Sequence, residues 1–298
     1  PTFYNKEMSF GKTKVVYKDA GHILGSSMID ITYENKRILY TGDFKLDETR
    51  LHKGAEYLED INILIVEGTY AIRDHPNRKE IEKKLIETIE ETTENKGQVL
   101  MPAFALGRSQ ELISVLGSHK INVPVFLDGM SKAVTDIYLK YPYYLKDFGN
   151  FQKSADSIEF VTSPQVRKQA TKKPGVIIST AGMMEGGPVL NYLSNLHPNS
   201  KIVFSGYNVE GTNGWRLLNQ GKIIRDGYEL DVSIPTEYLD FSAHVGRSDL
   251  LKFIKKANPE KIVIVHADPG VSDTFTSELN EELGFNAVAP NTGDVIEL

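Results

Sequence analysis

Three consecutive stretches decide the fold class: "INILIVEG" (Ile61–Gly68), "NRKEIEKKLIETIEETTEN" (Asn77–Asn95) and "QVLMPAF" (Gln98–Phe104). The first is a nearly continuous apolar run, the pattern of a buried strand. In the second, Ile81, Leu85 and Ile89 recur at i+4. Asn77 stands where a helix cap belongs, Glu80 completes a capping-box pattern, and Gly97 follows the end. The third stretch is again short and apolar. Strand, helix and strand in that order predict a βαβ unit and a parallel sheet.

The same alternation continues downstream. "VPVFLDG", a helix from Ser131, "GVIIST", a helix from Pro188 and "KIVFSG" follow the helix around Gln110–Leu116. Upstream the chain is β-rich, with "KVVYKDA" (Lys14–Ala20), "MIDITYE" (Met28–Glu34) and "RILYTGD" (Arg37–Asp43). "ENK" between the last two predicts a hairpin. The final third returns to strand with "DGYELDVSI", then a helix in "SDLLKFIKKAN", the strand "KIVIVHAD" and a last helix near Ser272–Leu283. The expectation is two α/β domains: a Rossmann-like block over 72–222, inserted in a domain formed by 1–71 and 223–298.

Composition narrows the chemistry. The chain has 298 residues, 40% of them hydrophobic, enough for a sizeable core. It has no cysteine, which excludes disulfides, thiolate metal sites and a cysteine nucleophile. Any metal must be held by His, Asp and Glu. No apolar run approaches the ~20 residues that span a bilayer, and "PTFYNKEMSF" lacks a signal-peptide pattern, so no membrane partner and a cytoplasmic location are expected. The net charge of −6 gives no general argument for nucleic-acid binding, although a local basic groove is compatible with it.

Five residues share one setting, the point where a strand gives way to a loop. His22 follows "VVYKDAG", Asp43 ends "RILYTGD", Glu67 ends "ILIVEG", His244 lies in "LDFSAHVGRSDL" and His266 ends "KIVIVH". Any one of them reads as a hydrogen-bonded structural residue. Three imidazoles and two carboxylates together fit a metallohydrolase site, because both donor types suit zinc and a carboxylate can bridge two metals. His52, His75, His119 and His197 sit in polar, turn-like surroundings and read as solvated surface. No HExxH, GxSxG or Walker A motif occurs.

Three Gly-rich turns lie in the βαβ block. "STAGMMEGGPVLNYL" offers Ser179, Thr180, Gly182, Gly186 and Gly187 ahead of a helix. "SGYNVEGTNGWRLL" offers Gly211, Thr212 and Arg216, and "ALGRSQEL" places Arg108 at another helix start. Exposed N–H groups at such turns favour phosphates, although many Gly-rich turns bind nothing. Met183 and Met184 read as packing under the loop, and Tyr207 and Trp215 either stack bases or pack at the rim.

"AGHILGS", "YTGDF", "VEGTY", "PAFALGRSQEL", "STAGMMEGGPV", "GYNVEGTNG" and "DFSAHVGRSDL" follow one another as in the β-CASP branch of the metallo-β-lactamase superfamily, and the chain resembles that branch along almost its whole length. "GHILGS" is closer to the cleavage-and-polyadenylation-factor group than to ribonuclease J. The resemblance implies part of a metallo-β-lactamase αββα sandwich with an inserted β-CASP domain, and a zinc-dependent ribonuclease of RNA processing or decay acting on single-stranded RNA. It implies that His22, Asp43 and His266 ligate zinc, Asp43 bridging two ions. His244 is placed by the scissile phosphate, oriented by Glu67, with the Gly-rich loops facing RNA. Two departures stand out. His266-Ala267-Asp268 replaces His-Gly-Glu, and the family's His-x-His-x-Asp-His is absent from these 298 residues. The chain is therefore expected to hold a partial or metal-poor centre by itself, with the absent segment supplied by a longer protein or another chain. A homodimer is a further expectation from relatives. The rival readings are a non-catalytic RNA-binding or scaffold subunit and a small-molecule metallohydrolase.

Overall fold

The computed structural model describes residues 3–297. The chain divides into two compact units: residues 1–75 with 243–298, and residues 76–242. The second crossing falls at 242/243 rather than the expected 222/223. The reason is that the strand Thr236–Tyr238 pairs in parallel with Lys201–Phe204, which ties the intervening residues to the inserted unit.

The first unit is built on one seven-stranded sheet. Its order is Glu7–Phe10, Thr13–Asp19, Ser27–Tyr33, Lys36–Tyr40, Ile63–Glu67, Lys261–Val265 and Ala287–Val288. The first four strands are antiparallel neighbours, and the last four are parallel neighbours. The helices Arg247–Ala257 and Pro269–Ser277 bury Phe253, Ile254 and Phe275 in one core with Leu39, Leu64, Val66, Ile262 and Ile264. The last helix runs on into a π-helical turn, Glu278–Glu282. Alternation puts Met28 and Leu39 on the core face, fully buried. Their neighbours Val15, Tyr17, Ile29, Ile31, Ile38 and Tyr40 form an apolar row on the opposite face, joined across the strands by register.

Register also decides where the chemistry collects. Tyr40 stands beside Ile65, and Glu67 beside Val265. Asp43, Glu67 and His266 therefore emerge at the carboxyl ends of three adjacent parallel strands, where α/β sheets build their sites. Thr13–Asp19 runs in the same direction two strands away, so His22 emerges at the same edge.

The second unit has six parallel strands, in the order Thr236–Tyr238, Lys201–Phe204, Gln98–Pro102, Gly175–Ser179, Val125–Asp128 and Glu159–Phe160. The expected helix at Asn77–Asn95 is Arg78–Glu94, with the Asn77 side chain accepting from Lys79 N at 2.9 Å. It buries Ile81, Leu85 and Ile89, the periodic positions. Gln110 anchors the next helix, Arg108–Ser118, by accepting from Gly107 N at 2.9 Å. The helix expected from Pro188 is a single turn, Val189–Tyr192.

Candidate active site

His22 is placed by the glycine before it. Gly21 has φ +68°, and a Cβ there would stand 2.6 Å from the Lys45 carbonyl oxygen and 2.7 Å from Gly54 Cα. Only glycine lets the backbones approach so closely. Ser26 Oγ accepts from His22 N at 3.3 Å and from Ile23 N at 3.2 Å, closing the turn. His22 Nδ1 lies 3.0 Å from the Ala243 carbonyl, which can only accept, so Nδ1 carries the proton and Nε2 keeps its lone pair. Burial first, and the neighbouring His244 second, lower the His22 pKa. The ring is thus neutral near pH 7, the state a metal requires.

Glu67 ends its strand 1% exposed. One oxygen accepts from Phe44 N at 2.8 Å, and the other lies 2.8 Å from His244 Nδ1. This contact fixes the proton of His244 on Nδ1 and leaves the lone pair on Nε2. Lys45 Nζ donates to the His244 carbonyl at 3.2 Å, which holds the loop from behind. The His244 ring lies 4.7 Å from the His22 ring and 5.8 Å from the His266 ring, tilted by 56° to each. His266 Nδ1 and Asp43 Oδ1 are 2.5 Å apart. His266 takes φ +51°, a conformation uncommon outside glycine, and Thr69 Oγ1 donates to its carbonyl at 3.1 Å.

Asp43, Glu67, His244 and His266 each offer a ligand atom, all within 4.8 Å of one another. Imidazole nitrogen and carboxylate oxygen are the donors zinc accepts. Within the group, Glu67 meets His244 and Asp43 meets His266, and His22 lies outside it with its ring 4.7 Å from that of His244.

The Gly-rich loops converge at the carboxyl ends of strands in the second unit. Gly214 N donates to the Met183 carbonyl at 2.8 Å, Asn213 Nδ2 to the Met184 carbonyl at 3.1 Å and Asn213 N to Glu185 Oε1 at 2.5 Å. The loop 180–188 is thereby tied to the start of the helix Asn213–Gln220, which follows the loop 205–212. Ser179 is fully buried, the Thr212 hydroxyl accepts from Trp215 N as a helix cap, and Arg216 Nε donates to the Gly211 carbonyl. Gly187, at φ +77°, closes its loop against Thr180. Met184 is core, as packing under the loop requires, and Tyr207 is 44% exposed. Arg108 Nε is enclosed without a hydrogen-bond partner. Burial first, and Arg78 second, pull its pKa down to about 10.

His52 departs most from the sequence reading, and half-buried His75 has its Nε2 enclosed as well. His52 is 4% exposed rather than solvated. Thr49 Oγ1 accepts from both Leu51 N and His52 N, and this turn folds the ring inward. His75 packs edge-on against Tyr70, His119 Nε2 meets Glu82, and His197 Nδ1 accepts from Asn199 N. Sequence reasoning also passed over Lys45, whose role depends on a contact 199 residues away in the chain and leaves no local signal.

Residues 109–217 match the Beta-Casp domain, and residues 229–290 match the Zn-dependent metallo-hydrolase RNA specificity domain. A relative from Methanocaldococcus jannaschii named "Probable RNase MJ4" is 36% identical over 100% of this chain and 72% of its own length.

The chain belongs to the β-CASP family of the metallo-β-lactamase superfamily.

"RNase aCSPSF2" of Saccharolobus solfataricus is 38% identical to this β-CASP chain over 99% of it and 61% of the relative. A protein named "Transcription termination factor FttA" from M. jannaschii is 36% identical over 96% of the chain and 50% of the relative. The β-CASP chain thus spans between half and three quarters of the length of these relatives. A crystal structure of a protein of unknown function from Enterococcus faecalis superposes with a TM-score of 0.61 at 14% identity, covering 98% of this chain and 66% of that one, which supports the fold. The second match is described as zinc-dependent, in agreement with the donor set at the strand ends. Among the described residues, no helix is long and apolar enough to cross a membrane.

Proposed function

We propose that this chain carries the active site of a zinc-dependent ribonuclease that cleaves phosphodiester bonds of single-stranded RNA in RNA processing or decay. The observation that carries the reading is the buried Glu67–His244 pair, set beside Asp43, His266 and His22, in a chain similar to proteins named as RNases. Cleavage needs a nucleophile at neutral pH, charge neutralisation at the phosphoryl oxygens and a proton for the leaving oxygen. Zinc, when bound, supplies the first two by acidifying water and acting as a Lewis acid. The chain's own residues supply the third. His244 presents Nε2 to the substrate as general acid, and Glu67 at Nδ1 stabilises the imidazolium and fixes its direction. His22, Asp43 and His266 would hold zinc. Arg108 and the Gly-rich loops from Thr180, Gly182, Gly186 and Gly187 to Gly211 and Arg216 would grip phosphates, with Ser179 and Thr212 shaping those loops. The domain reading extends the same proposal: the unit holding 76–242 is the β-CASP insert, and the two-part unit is the metallo-β-lactamase portion. Further ligands from outside these 298 residues, homodimerisation and a cytoplasmic location belong to it as well.

A non-catalytic scaffold would have no use for a buried carboxylate that, besides accepting from Phe44 N, orients His244. A small-molecule hydrolase would have no use for the six-stranded insert.

The test is cleavage of labelled single-stranded RNA by the whole protein. His244→Ala is expected to lower the rate about 10²- to 10⁴-fold. A chelator is expected to abolish cleavage and zinc to restore it. Cleavage indifferent to both would sink the reading.

A further inference from the structure

Phe104 lies two residues past the strand Gln98–Pro102, just before the turn 105–107, and the residue is 39% exposed at the sheet's carboxyl edge. Two side-chain-free positions bracket it. A Cβ on Gly182 would stand 3.2 Å from Phe104 Cδ1, and one on Gly206 would stand 3.3 Å from Cε2. The Gly206 position also adjoins Arg108, 3.8 Å from its Nε. The backbone of Phe104 is fixed, because Ser109 gives two hydrogen bonds to its carbonyl, from Oγ at 2.7 Å and from N at 3.2 Å. Beside Gly206, Ser205 is 1% exposed with its hydroxyl unpartnered, and Arg108 Nε is likewise enclosed and unpartnered. An exposed aromatic side chain on a fixed backbone, next to a guanidinium, suits a ligand with a flat apolar face and an anionic group. A nucleotide unit has both. Aromatic faces bind bases irrespective of sequence, and a guanidinium takes a phosphate.

We propose that Phe104, Arg108 and the glycines Gly182 and Gly206 form a nucleotide subsite, in which one base of single-stranded RNA stacks on the Phe104 ring and its phosphate meets Arg108. This rests on the RNA reading above and adds to it a base contact at a defined residue. Phe104 is a substrate-binding group in this assignment, and the glycines act by leaving its ring uncovered.

The experiment is binding of a short single-stranded RNA with one 2-aminopurine, in parallel with the same oligonucleotide carrying a single abasic position at each site in turn. Phe104→Ala is expected to weaken binding about tenfold, the size of one lost stacking contact. Phe104→Trp should bind like the wild type. The abasic penalty should appear at one position in the wild type and vanish in Phe104→Ala. Leu106→Ala, at an exposed residue of the same loop, is the control for general disturbance and should bind normally. Circular dichroism establishes that each variant is folded. Wild-type affinity and an undiminished abasic penalty in Phe104→Ala would overturn the subsite while leaving the RNA reading intact. Absence of any RNA binding by the wild type would overturn both.

Discussion

Glu67 does the work of two residues, because one buried carboxylate both accepts the Phe44 amide and orients His244. An amide at that position can accept from one of these groups only in a fixed orientation, and it carries no charge to stabilise an imidazolium. Glu67→Gln is expected to reduce cleavage about 10- to 100-fold, the usual consequence of removing such a supporting partner. Zinc content, measured by elemental analysis, should stay at the wild-type level, because the change touches His244 rather than Asp43, His266 or His22. A variant that loses metal in proportion to activity would instead make Glu67 a ligand. His22 shows how little one residue reveals by itself. Its neighbour Gly21 is legible as a turn, but the reason for that glycine is a crossing with Lys45 and Gly54, more than twenty residues away.

Among the elements, the helix Arg247–Ala257 depends on a cap from another part of the chain. Its own N-cap is Gly246, which has no side chain. Asp74 substitutes: it accepts from Ser248 N at 2.8 Å and from Ser248 Oγ at 2.6 Å. Asp74→Ala is expected to cost about 0.5–1 kcal/mol at neutral pH, the lower part of the range for a lost cap because the group is exposed. These two bonds hold the Asp74 carboxyl below its ordinary 3.8, so the folded chain binds this proton less readily than the unfolded chain. The contribution is therefore complete above about pH 4 and is lost as pH falls through the folded value. Urea denaturation of wild type and variant should differ at pH 7 and converge toward pH 2. A difference that grows on acidification would refute the cap. The helix itself was readable from "SDLLKFIKKAN", but its cap was not, since 174 residues separate the partners.

On the scale of the whole molecule, the two units differ in how they use the chain. The unit 76–242 is one continuous stretch with its own parallel sheet and core. The other is assembled from both ends: its strand Ile63–Glu67 pairs with Lys36–Tyr40 on one side and, on the other, with Lys261–Val265 from the far end of the chain. Residues 76–242 expressed alone should therefore unfold cooperatively with an α/β spectrum, whereas residues 1–75 alone should show neither. A folded 1–75 fragment would mean that the sheet does not need its distant strand.

The sequence by itself determined the local elements and the kind of chemistry: apolar runs and i+4 periodicity define strands and helices, and three imidazoles with two carboxylates, in a chain without cysteine, restrict the donors. It also placed each of those residues at a strand end. Only the tertiary structure decided which ends coincide. Parallel register brings Asp43, Glu67 and His266 to one edge, and folding back of the chain seats His244 on Glu67. It likewise decided that Phe104 stands open while Ser179 is buried. The physical reason is range. Periodicity and turn chemistry act over a few residues, whereas strand pairing and burial of one side chain by another join positions that are distant in the chain and carry no mutual mark within it.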